Sequence, residues 1–175
     1  MEDAVKRPSA LRVFWLWIGF VIALDQITKV LAIAYLKHAL PLGVIPGVFN
    51  LCYVENRGAA WGVLAGSQIF LIAFSLITLA FLFWKRTRLF SPLLGGSFIF
   101  TLLIAGIIGN LMDRIRVGYV IDFLDFYWGQ SHFPAFNIAD SAICVATVLL
   151  IIFQWVHDRR NAGSTGAKAS EACSK

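Results

Sequence analysis

Two aspartates, Asp122 and Asp140, are the residues whose types and surroundings point most directly to chemistry. Asp122 stands in Val120-Ile121-Asp122-Phe123, among apolar neighbours that offer it no solvation. Asp140 stands in Phe136-Asn137-Ile138-Ala139-Asp140-Ser141, at the head of an apolar run. Two carboxyl groups in contact cannot both ionise, so they share a proton. One can then take a proton from water while the other donates to a carbonyl oxygen, the acid–base division needed to hydrolyse an amide. Spacing alone does not single out this pair. Asp125 is a rival three residues after Asp122, although strand alternation would put those two on opposite faces. Asp140 also has a purely structural reading: with Asn137 as N-cap it would be the N3 acid of a near capping box, favoured there by the helix dipole.

Other polar groups fall inside or at the ends of apolar runs, where a charge must be paired and is a functional candidate by default. Asp25 and Lys29 are four apart with the acid first, the order that favours an ion pair on one helical face. A lock between helices is the simpler reading of that pair. Asn110 and Arg114 also share a helical face. The planar fork of Arg114 suits a carbonyl or carboxylate, or the side chain snorkels to the interface. Ala105, Gly106 and Gly109 give the same run a small-residue surface for close backbone approach. Cys52, Cys144 and Cys173 are widely spaced, and no CxxC occurs, so neither a disulfide framework nor a thiolate metal site is indicated. His38, His132 and His157 are scattered and no HExxH is present, so no metal or other cofactor is expected.

These residues must be held by membrane-spanning helices. Of 175 residues, 59% are hydrophobic and only 14% charged, against roughly 25% charged in soluble domains. Four runs approach the ~20 residues a span requires, at about 13–36, 68–84, 93–112 and 138–156. The basic start followed by Ala32-x-Ala34 suggests a cleaved signal peptide, but Asp25 and Lys29 interrupt the run before that point, which favours a retained first helix. The formal net charge of +5 reflects basic clusters between spans, not interleaved aromatics of a nucleic-acid surface. Ten of the fifteen Lys and Arg residues lie in the N-terminal tail, the connection after the second span and the C-terminal tail. By the positive-inside rule both termini are cytoplasmic, and the two longer connections, about 37–67 and 113–137, lie outside.

The first of these connections ends in the β-forming stretch Val48-Phe49-Asn50-Leu51-Cys52-Tyr53-Val54 after Pro46-Gly47, which predicts a small sheet or hairpin. The second is rich in aromatics, from Tyr119 and Phe123 to Phe133 and Phe136, as an interfacial belt or a lipid-facing lip would be. The expected organisation is one integral membrane domain over 1–160 and a disordered cytoplasmic tail over 161–175.

The set Asp25-Gln26-x-x-Lys29, Asn56-Arg57-Gly58-Ala59-Ala60, Gly109-Asn110-x-x-Asp113-Arg114, Val120-Ile121-Asp122-Phe123 and Phe136-Asn137-x-Ala139-Asp140 resembles the lipoprotein signal peptidase family, signal peptidase II. Each motif alone is weak; together, in family order, they are specific. Trp61 departs from the Phe more usual after the Gly-Ala-Ala run. The resemblance implies an all-α protein of four transmembrane helices with a small extracytoplasmic β-cradle and loop lid, in the bacterial inner membrane. It implies a metal-free aspartic endopeptidase that cuts prolipoproteins before their diacylglyceryl-modified cysteine and binds globomycin-type inhibitors. Its catalytic pair falls on Asp122 and Asp140. Its supporting residues fall on Asp25, Lys29, Asn56, Asn110, Arg114 and Asn137, to which the close-approach glycine Gly106 is added. The expected partners are the lipid-modified substrate and membrane lipid, with no nucleic acid, and a monomer is expected.

Three alternatives compete. A proton-coupled transporter would use intramembrane acids with a lysine, but the two related halves common in such proteins are not seen. A non-catalytic scaffold would need no pair of acids. A serine peptidase would need a partner for Ser67 or Ser141, and no nucleophile motif supplies one.

Overall fold

The computed structural model describes residues 10–59, 63–90 and 95–173, the side chains of 10–11 and 161–173 excepted; Ala60 and Trp61 lie outside the described residues. Among the described residues the helices number four: α1 (Ala10–Leu36), α2 (Gln68–Phe90), α3 (Gly96–Val117) and α4 (Ile138–Cys173). Each contains a stretch long and apolar enough to cross a membrane, at Arg12–Leu36, Gln68–Phe90, Gly96–Val117 and Ile138–Arg160. The expected spans are all present; the second and third extend beyond 84 and 112 because helical hydrogen bonding continues into the polar ends that hydropathy alone discounts. Beyond the fourth span, the stretch from 161 expected to be disordered continues α4 as helix to Cys173.

The helices expose apolar side chains as well as burying them. Leu16, Ile77, Trp84 and Ile151 all point outward, as they must where lipid replaces water. α3 is the most enclosed of the four and packs on α1, α2 and α4. Phe100 lies at the centre of its inner face, stacked on Phe14 with centroids 5.7 Å apart and meeting Phe83 edge-on at 5.3 Å. Around it Ile18, Leu82, Ile99, Ile104 and Ala146 complete the core.

Small residues set how closely α3 approaches its neighbours. A Cβ added at Gly106 would sit 2.5 Å from the Ala139 carbonyl oxygen, and one at Gly109 would sit 2.7 Å from Asp25 Oδ2. Without side chains at these points, α1 and the start of α4 reach the α3 backbone.

The opposite end of the bundle from the α2–α3 connection carries a four-stranded antiparallel sheet: β1 (Leu42–Ile45), β2 (Phe49–Asn56), β3 (Val120–Trp128) and β4 (Ser131–His132), in that order. Pro46-Gly47 makes the β1–β2 turn, with Gly47 at φ 82° and the Val48 N–H donating to the Ile45 carbonyl, the Pro-Gly placement of a type II turn. The hairpin expected around 48–54 is therefore β2 and its turn. α3 ends where Gly118 takes φ 83° and donates its N–H to the Arg114 carbonyl, a left-handed cap. That cap turns the chain directly into β3, which carries Asp122.

Candidate active site

Beneath the sheet lies a buried ion cluster. Lys29 is wholly enclosed and spends its three protons on Asp25 Oδ2 at 2.9 Å, Asp113 Oδ2 at 2.7 Å and Asn110 Oδ1 at 3.1 Å. A buried ammonium is tolerable only when paired and fully hydrogen-bonded, and this one is. The Asp25–Lys29 pair is thus a lock between α1 and α3, the simpler of its two readings. The two carboxylates extend the lock. Asp25 Oδ1 accepts the Ala139 N–H at 2.9 Å, at the positive end of α4. Asp113 Oδ2 accepts the Ile121 N–H at 3.4 Å, one residue before Asp122. Gln26 adds a bond to each, 3.1 Å to Asp25 Oδ2 and 3.1 Å to Asp113 Oδ1.

Two amides carry this order to Asp122 and Asp140. An ammonium can only donate, so Lys29 fixes the Asn110 oxygen toward itself and turns the Asn110 NH2 to Asp140 Oδ1, 2.7 Å away. A backbone N–H also only donates, so the Asp140 N–H holds the Asn137 oxygen at 2.9 Å and turns the Asn137 NH2 to Asp122 Oδ1 at 2.7 Å. The same NH2 lies 3.1 Å from Asn110 Oδ1, closing a chain Asp122–Asn137–Asn110–Asp140. Asn56 donates to the other oxygen of Asp122 at 2.9 Å.

Asp140 Oδ2 accepts the Asn137 N–H at 3.3 Å. The reciprocal bonds of a capping box are therefore present, and they engage only one oxygen of Asp140: Oδ2 caps the helix while Oδ1 meets Asn110. Burial first, and then the charge of Asp140, push the Asp122 carboxyl up from the usual carboxylate range to about 7, against the lowering pull of Asn56 and Asn137.

Asp122 and Asp140 open onto one cavity of about 1240 Å³, lined also by Asn56, Asn110 and Arg114. Arg114 Nη2 donates to the Gly58 carbonyl at 3.2 Å, while its buried Nε has no hydrogen-bond partner among the described residues. Cys52 and Cys144 line the same cavity. Burial and the nearby Asp125 and Asp122 push the Cys52 thiol up to about 11, which keeps it protonated and a poor nucleophile.

Asp125 also lines the cavity, so alternation does not keep it on the face away from Asp122. The β2–β3 register shifts between Leu51 and Val54, where β2 carries one more residue than the facing stretch of β3, and such a bulge increases the local twist of the pair. Of the other expected residues, Asp25, Lys29, Asn137 and Gly106 stand behind the cavity wall, and only Asn56, Asn110 and Arg114 join the two aspartates in it. Asp113 and Gln26 were not among the expected supporting residues, yet both belong to the ion cluster. The signal for Asp113 was its place on the helical face of Gly106, Gly109 and Asn110. Among the described residues no group of three His, Cys, Asp or Glu is arranged to hold a metal.

The family model for signal peptidase (SPase) II matches residues 17–156. The lipoprotein signal peptidase of Syntrophotalea carbinolica is 43% identical over 152 residues, covering 85% of this chain and 94% of the relative. That of Shewanella pealeana is 40% identical over 168 residues, covering 93% and 96%. A solved structure described as a bacterial membrane enzyme superposes with a TM-score of 0.73 at 34% identity, covering 87% of this chain and 92% of that one. The five motifs, the four spans with their small sheet and these likenesses agree: the chain belongs to the signal peptidase II family of membrane proteases.

Proposed function

We propose that this protein removes signal peptides from lipid-modified prolipoproteins by aspartic catalysis at Asp122 and Asp140, cutting before the diacylglyceryl cysteine. The observation that carries this reading is the pair of carboxyls on one cavity, joined through Asn137 and Asn110. The ionised member of the pair takes a proton from water as the water oxygen bonds to the scissile carbonyl carbon. The protonated member donates to the carbonyl oxygen, giving a neutral tetrahedral intermediate. Collapse re-forms the carbonyl, breaks the C–N bond and delivers a proton to the departing cysteine nitrogen. The aspartates end with one proton between them, as they began.

Arg114 supports substrate binding, since it lines the cavity and its planar guanidinium suits a substrate carbonyl. Asn56 holds Asp122 and, through its oxygen, the Gly58 N–H at 3.0 Å, so it ties the loop after β2 to the catalytic carboxyl. The charge distribution supports both termini in the cytoplasm and the sheet end outside, where water and a substrate held in lipid both have access. The family resemblance extends the ligands to globomycin-type inhibitors, and a monomer is the expected form.

The test is cleavage of a lipid-modified prolipoprotein by purified protein in detergent, wild type beside Asp122→Asn and Asp140→Asn. Cleavage before the lipidated cysteine, unaffected by chelator and abolished in both folded variants, is the expected result. Activity surviving in either variant would remove that aspartate from the reaction.

A further inference from the structure

One buried carboxylate at the cavity has no part in this scheme. Asp125 on β3 is nearly enclosed, and His132 on β4 presents Nδ1 to it, 2.8 Å from Oδ1 and 3.0 Å from Oδ2. Asn50 on β2 donates to Asp125 Oδ2 at 3.2 Å. The imidazole stacks on Tyr127, with centroids 5.2 Å apart and planes 13° from parallel, and the Tyr127 hydroxyl accepts the Gly47 N–H at 2.8 Å. Asp125 and His132 thus bind β4 to β3, β2 and the β1–β2 turn.

From His132 the chain runs through Phe133, Pro134, Ala135 and Phe136, all of which line the same cavity, and then into Asn137. This strap is tied at both ends. The Phe133 N–H donates to the Phe126 carbonyl at 2.8 Å, and Phe136 exchanges bonds with Leu124 at 2.9 and 3.0 Å. A short segment held at each end is a preorganised wall, which limits the ordering cost of binding.

The cavity has two sides. Toward the bundle it is bounded by Cys144 and Val145 of α4, both exposed on a spanning helix. Toward the sheet, beyond the ends of the spans, it is bounded by Asp125 and His132. An apolar signal segment is stable against the helices, whereas the polypeptide following the scissile bond must leave toward the polar end.

We propose that Asp125 and His132 are positioning residues that fix the 132–136 strap as a docking wall for the lipoprotein segment following the scissile bond. The inference rests on the reading that cleavage occurs at Asp122 and Asp140. It predicts an effect on substrate binding that depends on how much polypeptide follows the cut.

The experiment uses purified full-length protein and two lipid-modified prolipoprotein peptides, one ending just past the scissile bond and one continuing well beyond it. Asp125→Ala and His132→Phe should raise KM for the longer peptide about tenfold with kcat held within about twofold. Both constants for the shorter peptide should stay near wild type. Asp125→Asn, which keeps an acceptor for His132, should rescue most of the loss, and melting curves verify that each variant is folded. Equal losses on the two peptides would overturn the proposal in favour of general destabilisation of the sheet. A collapse of kcat would overturn it by placing Asp125 in the chemistry, and unchanged constants would overturn it outright. Failure of the catalytic reading would show separately, as activity retained by Asp122→Asn or Asp140→Asn.

Discussion

At the residue scale, the proposed chemistry depends on which way two amides face. Asn110 is oriented by Lys29 and Asn137 by the Asp140 N–H, and each then directs its NH2 at a carboxyl. Asn137→Asp preserves shape but sets an acceptor, and a further charge, against Asp122. Its kcat should fall by on the order of 10²-fold, the usual loss when a preorganised donor is removed; a rate near wild type would show that Asn137 does not hold Asp122 for reaction. The elevated Asp122 carboxyl gives a pH prediction. Its folded value is about 7 against an ordinary 3.8, so the folded protein binds this proton more tightly than the unfolded chain. Stability from that proton is fully present below 3.8 and is lost as pH rises through about 7. In the proposed mechanism the shared proton is lost over the same upper limit, so cleavage should decline above about pH 7, read from kcat/KM against pH. A rate flat well into alkali would contradict the reading.

At the element scale, the site exists because α1, α3 and the head of α4 approach closely enough for one lysine to bridge two carboxylates. Gly109 permits this, since a Cβ there would lie 2.7 Å from Asp25 Oδ2 and 3.1 Å from the Ala139 Cβ. Gly109→Ala should cost ~1–3 kcal/mol through that overpacking, measured as a lowered melting temperature in detergent. It should also reduce activity, because Asp25 holds the head of α4 that carries Asp140. Undiminished stability would mean that Asp25 moves aside freely. The sheet has a different task. β3 takes Asp122 from the end of α3 and sets it opposite Val54 of β2, one strand away from Asn56. A connection that reads as an aromatic belt is therefore also the strand that presents an acid.

At the scale of the whole molecule, four apolar helices carry a small sheet at one end, and the sheet itself exposes apolar side chains such as Leu42, Val44 and Trp128. The charge bias makes a topology prediction. In a cysteine-free background, an impermeant maleimide should label Leu40→Cys, beside the sheet, in intact cells with a permeable outer envelope. It should label Thr87→Cys, at the other end of α2, only after lysis. The reverse pattern would invert the protein and place its cavity on the cytoplasmic side.

The sequence by itself determined the four spans, because a run of about 20 apolar residues has few other stable fates. It also determined the hairpin signalled by Pro46-Gly47, the Asn137–Asp140 cap and the family motifs, all of which are local in the chain. It named Asp122 and Asp140 as candidates but left Asp125 beside them as an equal in spacing. Only the tertiary structure decided that Lys29 joins Asp25 to Asp113, since those partners lie far apart in sequence and meet through glycine contacts. It alone separated Asp122, held by Asn137 and Asn56, from Asp125, held by His132 and Asn50. Hydropathy and spacing report the medium and face a residue prefers; the direction of an amide or a bulge is fixed by partners that only folding brings within hydrogen-bond range.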